Sequence, residues 1–148
     1  MSQEVSGTEG APADPENAVT AQQIKKRFVG NWRLVSYVIY NAAGHATRRE
    51  MAGGLMYDDQ GRMSAQLLRF GHANTQGKSG TSVYLAYFGD FDLDMEHQRV
   101  IHHVKGSSRP MWIGEDLIRE YRFDEDRLML SLRENGRVTT KLTWQREK

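Results

Sequence analysis

One stretch of the chain places ionisable side chains where a strand would ordinarily bury apolar ones. It is QRVIHHVKGSSRPMWIGEDLIREYRF, residues 98–123, which reads as two β-strands joined by a loop of Gly, Pro and Trp. In the second strand Leu117, Arg119, Tyr121 and Phe123 share one face, and Ile118, Glu120 and Arg122 share the other. In the first, Val100, His102 and Val104 share a face, opposite Arg99, Ile101, His103 and Lys105. The apolar faces point to the core, so Arg119 and His102 are expected to point inward. Both are costly there unless each meets a partner or a ligand.

The chemistry open to these groups is limited. Arg119 is always charged and carries five donors, so inside a fold it suits a carboxylate, an enolate or a phenolate. Its alternatives are a structural ion pair or a position at a solvent-facing rim; the Asp90, Asp92, Asp94 group is the nearest rival partner, and alternation turns it outward. His102 has a titration range suited to general acid–base work, with a core histidine bonded to a carbonyl or hydroxyl as the alternative. A one-residue bulge would bring His103 inward in its place. Consecutive strand residues cannot chelate one metal together, and the spacing of His45, His72 and His97 adds no support, so no metal is expected. Trp112 is a candidate cover for a cavity mouth, or plain loop packing. Gln66, Tyr87, Tyr121 and Ser36 are candidate wall residues, while Trp32, Trp144 and Arg146 read as structural closure. The chain has no G-x-S-x-G elbow, phosphate loop or G-x-G-x-x-G, and Ser107 and Ser108 have no identifiable triad partners. Hydrolase and nucleotide functions are discounted, and no cofactor is expected.

The elements that must position these groups are mostly strands. Residues 1–19, polar and rich in Gly, Pro and Ser, read as a disordered tail, and residues 20–148 as one domain. Thr20 and Gln23 suggest a capping box on a short helix over residues 20–29, with Ile24 and Phe28 on one face and Gly30 ending it. Residues 31–40 form a strand, with Trp32, Leu34, Ser36, Val38 and Tyr40 on one face and Arg33, Val35, Tyr37 and Ile39 on the other. Residues 45–52 read as a short edge strand or a loop. Asp58–Gly61 and Glu134–Arg137 are hairpin turns. The Gly-rich stretch 70–82 is a mobile lid over a barrel mouth or a solvated crossover. Further strands are expected at 83–94, 127–133 and 138–146, and Gly89 within one of them marks a bend or a close approach. Eight or nine short strands with tight turns predict an all-β, antiparallel up-and-down barrel, which with eight strands can enclose one small ligand.

Bulk properties narrow the partners. The 148 residues suit one domain, and 20 Lys+Arg against 19 Asp+Glu leave no net field to suggest nucleic acid. There is no cysteine, hence no disulfide and no thiolate site; this fits a reducing compartment. No apolar run is long enough to span a membrane, and the N-terminus has no signal-peptide pattern, so a cytoplasmic location is expected.

Gly30-Asn31-Trp32 after a short helix resembles the G-x-W opening of lipocalin-type barrels. In such barrels the Trp closes one end beneath a basic side chain of the last strand, a role open to Arg146. Together with GRMSAQL (61–67), AYFGDF (86–91), IHHVKGS (101–107), P-x-W-x-G (110–114) and the Arg119 strand, it resembles the small bacterial and fungal family of lipocalin-like domain proteins over residues 27–146. The resemblance implies a barrel and a ligand-sized cavity; some members of that family sit in small-molecule metabolism. Three readings follow. In the first, the barrel binds a small apolar molecule with a polar or anionic head, oriented by Arg119 and His102. In the second, a cofactor-free isomerase, cyclase or dehydratase uses His102 or His103 to move a proton and Arg119 to stabilise charge. In the third, outward Val35, Tyr37 and Ile39 form a homodimer surface.

Overall fold

Alternation of apolar and polar residues over seven to twelve positions, broken by Gly- and Asp-bearing turns, folds the chain into one continuous antiparallel sheet. The computed structural model describes residues 15–70 and 83–148, with side chains from Ala21 onward. A helix α1 (Pro15–Phe28) precedes strands β1 (Gly30–Tyr40), β2 (Ala46–Arg48), β3 (Met51–Tyr57), β4 (Arg62–Arg69) and β5 (Val83–Asp94). Then come β6 (Arg99–Ser107), a 3-10 turn (Pro110–Trp112), β7 (Asp116–Asp124), β8 (Arg127–Glu134) and β9 (Arg137–Arg146). Each strand from β3 to β9 pairs with the next, and β1 pairs with both β3 and β9, closing an eight-stranded barrel. The three-residue β2 pairs only with the far end of β1.

Two elements differ from expectation. The helix begins at Pro15 rather than at Thr20. Of the two alternatives open for 45–52, the structure takes the short edge strand, β2, followed by the start of β3. The second difference bears on the site. In the β1–β9 pairing Ser36 opposes Thr143 but Leu34 opposes Trp144, which leaves Val35 as an extra residue. This bulge reverses the parity of the second half of β1. Tyr37, opposite the buried Leu142, turns inward, while Ser36 turns outward beside Thr143. Ser36 is therefore no wall residue, and the outer surface expected from Val35, Tyr37 and Ile39 does not form. The lid expected over residues 70–82 lies, apart from Phe70, outside the described residues.

One barrel end is sealed. Phe28, the last residue of α1, is wholly buried, with its ring centroid 5.2 Å from Tyr57, 5.1 Å from Tyr121 and 4.9 Å from Phe123. The Trp32 indole donates to the Phe28 carbonyl at 2.8 Å. Arg146, from the last strand, lies over the Trp32 ring at 4.3 Å and donates to the carbonyls of Val29 (2.8 Å) and Arg27. A cation thus satisfies acceptors left over at the helix C-terminus and stacks on an aromatic face at once. Gly30 carries φ +139°, and a β-carbon there would stand 2.7 Å from the Arg146 guanidinium, so this closure needs glycine.

Candidate functional site

Above the sealed end the barrel holds a chamber of about 210 Å³. Leu55, Ala65, Leu130, Leu132 and Leu142 supply an apolar wall, as inward strand positions must. Into this wall the sheet sets Tyr37, Tyr87, His102, Arg119, Trp112 and Trp144. Strands β6 and β7 pair without a shift from Arg99 to His103, so parity holds, and Arg119 and His102 reach the interior as the sequence pattern requires.

Arg119 makes one hydrogen bond among the described residues, from Nη1 to the carbonyl of Ile118 at 3.1 Å. It forms no ion pair with a described carboxylate: Asp90 faces out to Lys105, Asp92 to His103 and Asp94 to His97. Its charge is felt nearby, opposing protonation of His102 and favouring ionisation of Tyr57 and Tyr87.

His102 is 1% exposed, and both ring nitrogens are engaged: Nε2 lies 2.7 Å from the Tyr57 hydroxyl and Nδ1 lies 2.9 Å from the Tyr87 hydroxyl. Burial, helped by Arg119, lowers its pKa to about 3, so the ring is neutral at pH 7. Burial also raises both phenols, which stay protonated. Counting protons orients the chain. A neutral imidazole has one N–H. Tyr57 is buried away from the chamber and has no other described partner, so its O–H must donate to Nε2. The ring proton then sits on Nδ1 and donates to the Tyr87 oxygen. The Tyr87 proton remains, and Tyr87 lines the chamber.

Trp112 covers this corner. Its ring meets Tyr87 edge-on at 5.8 Å and carries the Arg109 guanidinium 5.3 Å above it. Trp144, read from sequence as closure alone, lines the chamber too, and its indole N–H is buried without a hydrogen-bond partner among the described residues. Arg119, Trp144 and Tyr87 are all donors, and no Asp or Glu among the described residues lines the chamber.

The chamber therefore brings together His102, Arg119, Trp112 and Tyr87. Other expected site residues lie elsewhere. His103 is on the outer face, held by Asp116 at 2.7 Å and Asp92 at 2.8 Å, because the bulge in β6 falls beyond it at Lys105. Gln66 is exposed on the outside of β4. Tyr121 packs at the sealed end, its hydroxyl 3.8 Å from the Met95 sulfur. Tyr37, Tyr57, Trp144 and Arg109 were missed as site residues. Tyr57 follows from alternation with Leu55, whereas Tyr37 is hidden by the Val35 bulge. No three His, Asp or Glu side chains among the described residues form a group that could hold a metal, and no described helix is long and apolar enough to cross a membrane.

A closed up-and-down barrel, plugged by a short helix and holding a small apolar chamber with converging donors, defines the lipocalin-like class of barrels. The chain belongs to the lipocalin-like domain family, whose profile matches residues 29–147. Among solved structures it is similar to a point mutant of the fluorescent protein UnaG, at 11% identity and a TM-score of 0.41, over 82% of this chain and 96% of that one. It is also similar to Rv2717c from M. tuberculosis, at 12% identity and a TM-score of 0.40, over 86% and 98% of the respective chains. No curated protein sequence matches it.

Proposed function

We propose that the barrel binds one small, largely apolar molecule whose head is an anionic hydrogen-bond acceptor, such as a carboxylate, phenolate or enolate. The observation that carries this reading is Arg119, a guanidinium facing a leucine-lined chamber without a carboxylate partner among the described residues. Arg119 is half-buried, a charge left unpaired is costly to the extent that it is desolvated, and an anionic head offsets that cost. Tyr87 adds a directed O–H donor, and Trp144, whose indole N–H has no partner among the described residues, also lines the chamber. A cavity of about 150 Å³ holds benzene, so 210 Å³ suits one ring with a substituent or a short chain. His102 argues for binding rather than proton transfer: with its pKa lowered to about 3 and both nitrogens occupied, it is a weak base at neutral pH.

The test is calorimetric titration of benzoate and short-chain monocarboxylates into the wild-type protein and Arg119→Gln. A charge-assisted pair contributes about 1.5–3 kcal/mol, so affinity should fall roughly 10- to 100-fold in the variant. Equal affinity in the two proteins would refute the reading, as would an absence of binding.

A further inference from the structure

A second chamber of about 150 Å³ adjoins the inner one, and the two share Tyr37, Leu67, Leu85 and Arg109 as walls. Three guanidinium-bearing side chains line this outer chamber: Arg49 from the segment between β2 and β3, Arg69 at the end of β4, and Arg109 just before the 3-10 turn. Three like charges around so small a space repel one another. The chain places carboxylates beside its cations elsewhere, as in Arg133–Glu120 and Lys105–Asp90, yet none of these three arginines has an ion-pair partner among the described residues. Among the described residues, neither chamber is lined by Asp or Glu. Glu50, next in sequence to Arg49, is exposed and off the lining. Residues 71–82 contain no Asp or Glu.

A second observation points the same way. Among the described residues two buried side-chain polar atoms lack a hydrogen-bond partner: Trp144 Nε1 and Arg49 Nε. Trp144 lines the inner chamber and Arg49 the outer one, and both atoms are donors. An unpaired buried donor costs on the order of 1–3 kcal/mol. One such group on each chamber is what two separate acceptor positions, each seated by a small side-chain rotation, would satisfy.

We infer that the outer chamber is a second acid-binding subsite, and that the ligand is an elongated molecule with an acidic group at each end. One end lies on Arg119, and the other, a carboxylate or a phosphate, lies among Arg49, Arg69 and Arg109. The middle of the molecule runs past Tyr37, Leu67 and Leu85. The position of the inner end rests on the reading proposed above; the outer subsite has its own residues and its own test.

The experiment has two arms. In the first, α,ω-dicarboxylates of increasing length are titrated beside monocarboxylates of equal length. At the matching length the dicarboxylate should bind at least about tenfold tighter, the value of one further charge-assisted contact. The double variant Arg49→Gln/Arg69→Gln should remove that advantage while keeping monocarboxylate affinity. If monocarboxylates bind but no dicarboxylate gains at any length, or if the gain survives in the double variant, the proposal is overturned. In the second arm, inorganic phosphate is titrated into Arg119→Gln while the arginine Nε–H signals are followed by NMR. Saturable shifts of Arg49, Arg69 and Arg109 are expected, and their absence overturns the outer subsite. If monocarboxylates fail to bind the wild-type protein, this arm alone decides the subsite, so the two readings can fail separately.

Discussion

His102 and His103 are adjacent in β6, and their surroundings move them in opposite directions. His102 faces the core, and burial lowers its pKa to about 3. His103 faces out, and its bonds to Asp116 and Asp92 raise its pKa. The signs of their effects on stability follow by linkage. Between the unfolded value near 6.5 and about 3, the unfolded chain holds a proton at position 102 that the folded chain rejects. Stability therefore falls as the solution is acidified from about pH 6.5, by several kcal/mol over the whole window. For His103 the folded state holds the proton more tightly. Its contribution is complete below about pH 6.5 and is lost as pH rises through its raised folded pKa. It is the smaller effect, because the pair is open to solvent. Urea melts between about pH 4.5 and 8 should therefore peak near pH 6.5, with the acid limb the steeper. His102→Gln should flatten that limb above about pH 5, where few carboxylates titrate. An unchanged slope would mean that the imidazole is not held neutral.

Among the elements, the bulges decide which side chains share a chamber. The one between β5 and β6 leaves Lys105 unpaired, and it depends on Gly89, which sits against the backbone of His103 and Lys105. A β-carbon on Gly89 would fall on the His103 carbonyl oxygen, in backbone that cannot yield cheaply. The contrast is Gly54 in β3, where a β-carbon would meet only Gln66 Oε1 at 3.6 Å. Gly89→Ala should cost about 3 kcal/mol or more, and Gly54→Ala less than about 1 kcal/mol, by urea denaturation. Gly89 was readable in the sequence as a bend or close approach, since a glycine amid Tyr87, Phe88 and Phe91 has little other reason to be there. The Val35 bulge was not readable. Val, Ser and Tyr all suit a strand of either parity, and only pairing with β9 shows which residue is extra.

At the scale of the whole molecule, the proposed binding depends on one barrel end being shut. Phe28 shuts it from α1, within an aromatic cluster drawn from β3, β5 and β7. Phe28→Ala should lower stability by about 3–5 kcal/mol, as expected for a large residue deleted from a packed site. Because Phe28 lies at the sealed end and off both chambers, the folded variant should keep its affinity for monocarboxylates. Thermal melts with and without ligand measure both quantities. Lost affinity in a folded variant would show that the plug shapes the chamber.

Local chemistry written along the chain was enough to specify the strands, the turns at Asp58–Gly61 and Asn135–Gly136, the inward Arg119 and His102, and the Trp32–Arg146 closure. Each rests on a period of two or on a residue type with one favoured use, and both are local properties. Tertiary structure alone decided that His102 is a neutral bridge between Tyr57 and Tyr87, that Tyr37 and not Ser36 faces the chamber, and that three arginines from three separate segments line the chamber beside it. These depend on register, and on which distant strands the closing of the sheet brings face to face.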